Sequence, residues 1–315
     1  MNIVVTGGAG FIGSHVCERL LERGDTVIIV DDLNAYYDPQ LKQRNLDEVR
    51  KKGECTFYKV DITDFNALGK VFQENKVDKV IHLAARAGVR ASLEQPQLYF
   101  NVNCFGTVNV LELCRLHAVK NLVFGSSSSV YGENKKIPFS EEDRVEDQVS
   151  PYAVSKRIGE LICFSYHSFY KMKVTCLRFF TVYGPRGRPD MAPLKFTTRI
   201  SEGKPIEMYG DGSSKRDYTF VADIVDGILS ALDKDLDFEI INLGDSNPVE
   251  LTYFISLIEE NIGKKAVITQ KPMQPGDVPL TYADIAKAKQ LLGYTPKVRI
   301  EEGIKRMVAW YVKTS

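Results

Sequence analysis

Short, continuously apolar runs rich in β-branched residues recur along this chain every few tens of residues. They read NIVVT at 2–6, TVIIVD at 26–31, TFYKVD at 56–61 and KVIHLA at 79–84. NLVFGSSS at 121–128, VTCLRFF at 174–180 and EIINLG at 239–244 follow. A strand with one wet face alternates polar with apolar residues; these runs do not, so both of their faces must be buried, as in a parallel sheet. Between them lie amphipathic stretches such as SHVCERLLERG at 14–24 and TVNVLELCRLHAV at 107–119, which supply helices to cover both faces. The pattern predicts an α/β protein built on a doubly wound parallel sheet. From about Phe180 the rhythm breaks. VYGPRGRPDMAP, YGDGSSKRDYTF and KPMQPGDVPLTY are rich in Pro and Gly and read as loops. We therefore expect residues 1–180 to form the first domain, with strand segments near 215–245 returning to it, and 181–315 to form mostly a smaller second lobe.

The bulk numbers narrow the partners. Lys+Arg and Asp+Glu both count 41 in 315 residues. No net positive field exists to draw in nucleic acid or anionic lipid, so an anion must be caught locally. The six cysteines, at 17, 55, 104, 114, 163 and 176, form no Cys-x-x-Cys pair and share no ligand spacing with the four histidines. Buried free thiols and no metal site are expected. No apolar run is long enough to span a bilayer, and no signal peptide precedes the first strand. The cytoplasm is the expected compartment, without a membrane partner.

The first strand runs into TGGAGFIG, with Gly7, Gly10 and Gly13 ahead of a helical pattern. Gly7 suits a tight turn. Gly10 lets backbone approach a pyrophosphate, and Gly13 lets the helix pack close to the sheet. The free N–H groups and dipole of the helix start then face the phosphates. The second strand ends in Asp31, about where a ribose diol is gripped. A carboxylate there accepts from two hydroxyls and repels a 2′-phosphate, so NAD is favoured over NADP. Asp61 and Ile62, after the third strand, suit an adenine edge.

SPYAVSKRIGE carries Tyr152 and Lys156 four residues apart, on one face of a helix. An ammonium beside a phenol favours the phenolate, which can take an alcohol proton while hydride leaves the same carbon. GSSSSVYG at 125–132 ends a strand, where α/β sheets present their ligands.

These motifs, from TGGAGFIGSH through HLAA, YAVSK and RDYTFVADI to YADIAKAKQLLGY, resemble the extended short-chain dehydrogenase/reductase superfamily over nearly the whole length. The glycines are spaced G-x-x-G-x-x-G, as in that superfamily. The resemblance implies a Rossmann domain with a small C-terminal nucleotide-sugar lobe, bound NAD and a homodimer. The dimer contact would fall on the helices around TVNVLELCRLHAV and YAVSKRIGELICFSYHSFY. Cofactor contacts are implied at Gly7, Gly10, Phe11, Ile12, Gly13, Asp31, Asp32, Asn34, Asp61, Ile62, Leu83, Ala84, Ala85, Asn103, Tyr152 and Lys156. Ser127 takes the place of the family's catalytic Ser or Thr, with Tyr152 as acid/base and Lys156 as its partner.

Sugar-nucleotide dehydratases of the superfamily carry an Asp-Glu pair before VYG, and uronate decarboxylases a Glu. This chain has Ser128 and Ser129. Redox apparatus without elimination apparatus points to epimerisation. RFFTVYGPRGRPDMA and AGVRAS look similar to UDP-glucuronate 4-epimerases, with Thr181 where galactose epimerases have Asn. Hydroxyls of Ser128, Ser129 and Thr181 suit a C6 carboxylate, and Arg188 is a candidate to close over it. By the same resemblance Arg216 meets the substrate diphosphate and Asp277 the uridine ribose. Gln274 stands where many relatives have Arg. The expected activity is interconversion of UDP-glucuronate and UDP-galacturonate. The alternatives are a neutral UDP-sugar or N-acetylhexosamine 4-epimerase, a decarboxylase or dehydratase, and a non-catalytic NAD-binding regulator.

Overall fold

The structure is a computed structural model and describes residues 1–272 and 279–314. In chain order the strands are β1 (Asn2–Thr6), β2 (Thr26–Asp31), β3 (Cys55–Lys59), β4 (Lys79–His82), β5 (Asn121–Ser127), β6 (Lys173–Phe179) and β7 (Thr181–Tyr183). They continue as β8 (Ile206–Tyr209), β9 (Lys215–Phe220), β10 (Phe238–Leu243), β11 (Pro248–Glu250), β12 (Ile268–Lys271) and β13 (Leu280–Thr281).

Successive strand residues face opposite helical layers, which explains why the middles of the inner runs are apolar at consecutive positions; on the edge strand β3, Thr56 and Lys59 are exposed. Ile3, Val5, Val27 and Ile29 pack in one core with helices Phe11–Glu22, Pro39–Arg50 and Val221–Asp233. Val4, Ile28 and Val30 pack in a second core with helices Phe65–Glu74, Gly106–Leu116 and Pro151–Tyr170. The sheet between them has the order β10-β6-β5-β4-β1-β2-β3 among the described residues, with every pair parallel. This is the doubly wound Rossmann order with one further strand at the edge. Its switch point falls between β1 and β4, where such sheets open a crevice for ligands.

Past β6 the chain turns out of this sheet at Phe180. β7 pairs with β9, and β9 also pairs with β11 and β13 in a smaller sheet; β8 and β12 pair separately. One expectation needs correction here. Of the segments near 215–245, Phe238–Leu243 joins the main sheet beside β6, but Lys215–Phe220 does not. Its edges are taken by Thr181–Tyr183 on one side and by Pro248–Glu250 and Leu280–Thr281 in the lobe. No helix among the described residues is long and apolar enough to cross a membrane.

Candidate active site

The crevice begins at the β1 turn. Gly7 has φ +72°, and a Cβ there would lie 2.7 Å from the Ala84 nitrogen. A Cβ on Gly13 would lie 2.1 Å from the Gly7 carbonyl oxygen, so the helix starts hard against the turn. Gly10 caps that helix with no side-chain hydrogen bond, and no acidic residue stands in its first turn. The first N–H groups are therefore left for an anion, with the helix dipole behind them. These features fit a dinucleotide pyrophosphate.

Asp31 ends β2 and is buried. Its carboxylate accepts from Ala9 N–H at 3.2 Å and Leu33 N–H at 2.9 Å. Burial pushes its pKa up, while the nearby Lys42 ammonium and these N–H groups pull it down. Asp32 accepts from the Asn34 backbone at 3.0 Å and its side chain at 2.6 Å, which orders the loop after β2. Asp61 accepts from Thr63 in a tight turn, and the Ile62 side chain packs under Gly106. Leu83, Ala84 and Ala85 follow β4 and form the floor.

At the other end of the same cleft, Ser150 caps helix Pro151–Tyr170 through a bond from Ala153 N–H, with Pro151 in the first turn. The helix presents Tyr152 and Lys156 to the cleft. Ser127 ends β5 and caps the short turn that follows; its oxygen accepts from Ser129 N–H and its hydroxyl donates to Ser129 Oγ, both at 3.2 Å. Tyr152 meets Tyr99 edge-on at 6.2 Å. Its pKa is raised by burial, against the Ser127 hydroxyl and the Arg188 charge, which lower it.

The expected lowering of the phenol by Lys156 is therefore corrected. The Lys156 ammonium donates to the Gly125 carbonyl at 2.6 Å and sits over the Phe124 ring at 5.1 Å. Burial lowers its own pKa to about 8. Both groups are desolvated, and for Tyr152 that cost outweighs the favourable charge and hydroxyl near it.

Two features escaped sequence reasoning. Glu160 lies one helical turn past Lys156 and is fully buried. It accepts from Ser126 Oγ at 2.7 Å, Arg178 Nε at 2.8 Å, Arg178 Nη2 at 2.9 Å and Arg157 Nη1 at 3.0 Å. The cluster ties the catalytic helix to β5 and β6 directly behind Ser127. The signal was an arginine inside the apolar run VTCLRFF, which had to find a partner. Second, Arg188 is already engaged. It pairs with Asp190 at 2.5 Å, reaches Tyr36 and the Ala87 carbonyl at 3.3 Å each, and lies over the Tyr36 ring. Arg186, two residues earlier, forms a two-pronged pair with Glu18 at 2.6 and 2.7 Å.

One cleft is thus lined by Gly7, Gly10, Phe11, Ile12, Gly13, Asp31, Asp32, Asn34, Asp61, Ile62, Leu83, Ala84, Ala85, Ser127, Ser128, Ser129, Tyr152, Lys156, Thr181 and Arg188. Three expected residues are not among them. Asn103 is buried one layer behind; its amide holds the backbone of Arg86 and the Ser155 hydroxyl. Arg216 stands on β9 and donates to the Lys215 carbonyl at 3.0 Å. Asp277, like Gln274, lies outside the described residues.

Comparison with known proteins gives the class. The chain belongs to the family described as GDP-mannose 4,6 dehydratase, matched over residues 4–307. It is 47% identical over 308 residues to a UDP-glucuronate 4-epimerase of Thermodesulfobacterium geofontis, covering 98% of this chain and 95% of that one. Among solved structures it is similar to UDP-glucuronic acid 4-epimerase from Bacillus cereus in complex with UDP-glucuronic acid and NAD. The TM-score is 0.93 at 35% identity, with both chains covered in full. A UDP-glucose 4-epimerase of Thermotoga maritima with UDP-glucose gives 0.92 at 35%, covering 100% of this chain and 99% of that one. The backbone is as close to one as to the other, so side chains must decide the sugar.

Proposed function

We propose that this protein is an NAD-dependent 4-epimerase of UDP-sugars that interconverts UDP-glucuronate and UDP-galacturonate. The observation that carries the reading is the set of hydroxyls from Ser128, Ser129 and Thr181 in the same cleft as Tyr152. Among the described residues lining that cleft the carboxylates are Asp31, Asp32 and Asp61, at the ends of β2 and β3, away from the catalytic helix. A dehydratase needs an acid and a base beside the sugar, and Ser128 and Ser129 are neither.

Tyr152 takes the proton of the C4 hydroxyl, and Ser127 donates to the same oxygen. Lys156, held on the Gly125 carbonyl, binds the nicotinamide ribose. NAD held along this cleft would supply the hydride acceptor and donor for C4. Asp31 holds the adenosine ribose. The C6 carboxylate accepts short charge-assisted bonds from the serine and threonine hydroxyls. That hold keeps the C5–carboxylate bond near the plane of the 4-ketone, where loss of CO2 is slow. Residues 1–180 with β10 carry the cofactor, and residues 181–315 mostly carry the nucleotide-sugar, with Arg216 on the diphosphate and Asp277 on the uridine ribose.

Two coarser features complete the reading. Leu116, Leu161, Phe164 and Phe169 are each more than half exposed, on the two helices expected at a dimer contact, and Phe105 just before the first of them is exposed too. That supports a homodimer, which light scattering at micromolar protein tests: a monodisperse monomer would rule it out. Six free cysteines suit the reducing cytoplasm.

Proton NMR of purified protein, incubated separately with UDP-glucuronate and UDP-glucose, tests the activity. UDP-galacturonate in the first tube, with little change in the second, is the expected result. UDP-galactose would leave the mechanism and overturn the uronate assignment; a UDP-pentose as main product would overturn epimerisation.

A further inference from the structure

Buried polar side-chain atoms in this protein are paired with few exceptions. Arg86 Nε, Arg178 Nη1 and Tyr183 Oη have no hydrogen-bond partner among the described residues, and of these three residues Arg86 alone lines the cleft. Arg86 is half-buried, but its Nε lies out of water; a buried donor left unpaired is costly, and native structures keep such groups where something else completes them.

The position of Arg86 says what that is. It follows β4, and its Nη1 donates to Asn34 Oδ1, just past β2, at 3.1 Å. In the sheet β1 lies between β4 and β2. The side chain therefore spans the end of β1, where the Gly7–Gly13 turn opens into the uncapped helix. Its backbone is pinned on both sides. Arg86 N–H donates to Asn103 Oδ1 at 2.7 Å, and Asn103 Nδ2 donates to the Arg86 carbonyl at 2.9 Å and to Ser155 Oγ at 2.8 Å. Asn103 itself sits in a π-helical turn, Asn101–Phe105, a distortion often found at functional sites.

We propose that Arg86 is the second jaw of the dinucleotide's pyrophosphate site, closing over it as a strap from the β4 loop to the β2 loop. Helix N–H groups meet the two phosphates on one side, and the Arg86 fork meets them on the other. Asn103 is a positioning residue that fixes the strap's root. The proposal rests on NAD being the cofactor. A sugar-nucleotide diphosphate offers the same chemistry, so the test separates the two.

Purified wild type, Arg86→Ala and Arg86→Gln are loaded with radiolabelled NAD and chased with unlabelled NAD, and UDP affinity is measured by calorimetry. Losing a hydrogen bond to a charged group should speed NAD release about 10- to 100-fold in both variants. The UDP Kd should stay within twofold. NAD release within twofold of wild type in the variant that folds would overturn the proposal. So would a loss of UDP affinity as large as that of NAD, which would assign Arg86 to the substrate. If wild type held no NAD at all, the cofactor reading would fail and the strap with it.

Discussion

Glu160→Met removes the counter-charge of a buried arginine behind the catalytic serine. In the folded protein Arg178 is 1% exposed, and its guanidinium meets Glu160 through two hydrogen bonds, with the face of Tyr131 4.8 Å away. Arg157 shares the same carboxylate. Removing it leaves a fully buried cation with no counter-charge and the Ser126 hydroxyl without its acceptor. Breaking a buried pair from one side costs about 3–5 kcal/mol. For a chain of this size that is a fall of roughly 6–10 °C in the unfolding midpoint. Calorimetry of wild type, Glu160→Met, Arg178→Met and the double variant gives the coupling. The double variant should lose less than the sum of the singles by at least about 1 kcal/mol, because it removes the stranded charge. Because Ser126 precedes Ser127 and Glu160 follows Lys156 by one turn, kcat should fall about tenfold in the single variant while UDP affinity holds. A single variant that costs under about 1 kcal/mol, or a strictly additive cycle, would refute the view that this cluster braces the catalytic helix.

Other outcomes follow from the same geometry. Gly13→Ala must push the helix start away from the Gly7 carbonyl, at an overpacking cost of about 1–3 kcal/mol; NAD content per protomer, measured by absorbance after gel filtration, should drop, and full retention would contradict the close-packing account. The raised pKa of Tyr152 means that kcat should climb with pH above neutrality, and Arg188→Gln, which removes a charge that lowers it, should move that limb to higher pH; a limb that stays put would deny the coupling. The Lys156 amine is depressed to about 8 from 10.5, so between those values the unfolded chain holds a proton the folded one has lost. Its cost is present below about pH 8 and is relieved as pH rises to 10.5, so the stability gained by Lys156→Met in urea titrations should shrink by about 3 kcal/mol across that window; no shrinkage would show the amine to be solvated. Thr181→Ala should release UDP-pentose beside the epimer, seen by NMR, and no increase over wild type would remove Thr181 from control of the carboxylate.

Much of the architecture is written in local pattern. Runs such as NIVVT and TVIIVD have consecutive apolar residues at their centres because Val4 and its neighbours Ile3 and Val5 face different helical layers, and that pattern survives in one dimension. The glycine turn and the Tyr152–Lys156 spacing are equally local, since each depends on residues within one turn or one helix. What needs long-range packing could not be read this way. Sequence order left open which late segment near 215–245 joins the main sheet: the apolar Phe238–Leu243 does, while the charged KRDYTF of Lys215–Phe220 pairs with Thr181–Tyr183 instead. Asn103 looked like a cofactor contact by spacing, yet a π-helical turn sets it behind the cleft wall on Arg86. The charge state of Tyr152 looked like a matter of its helical neighbour, but burial is set by every element around it. The pairing of Glu160 with Arg178 and the reach of Arg86 across β1 join residues far apart in the chain. The sequence determines which segments can be strands, helices and phosphate turns; only the tertiary structure, by bringing distant charges together out of water, decides which of them the site can use.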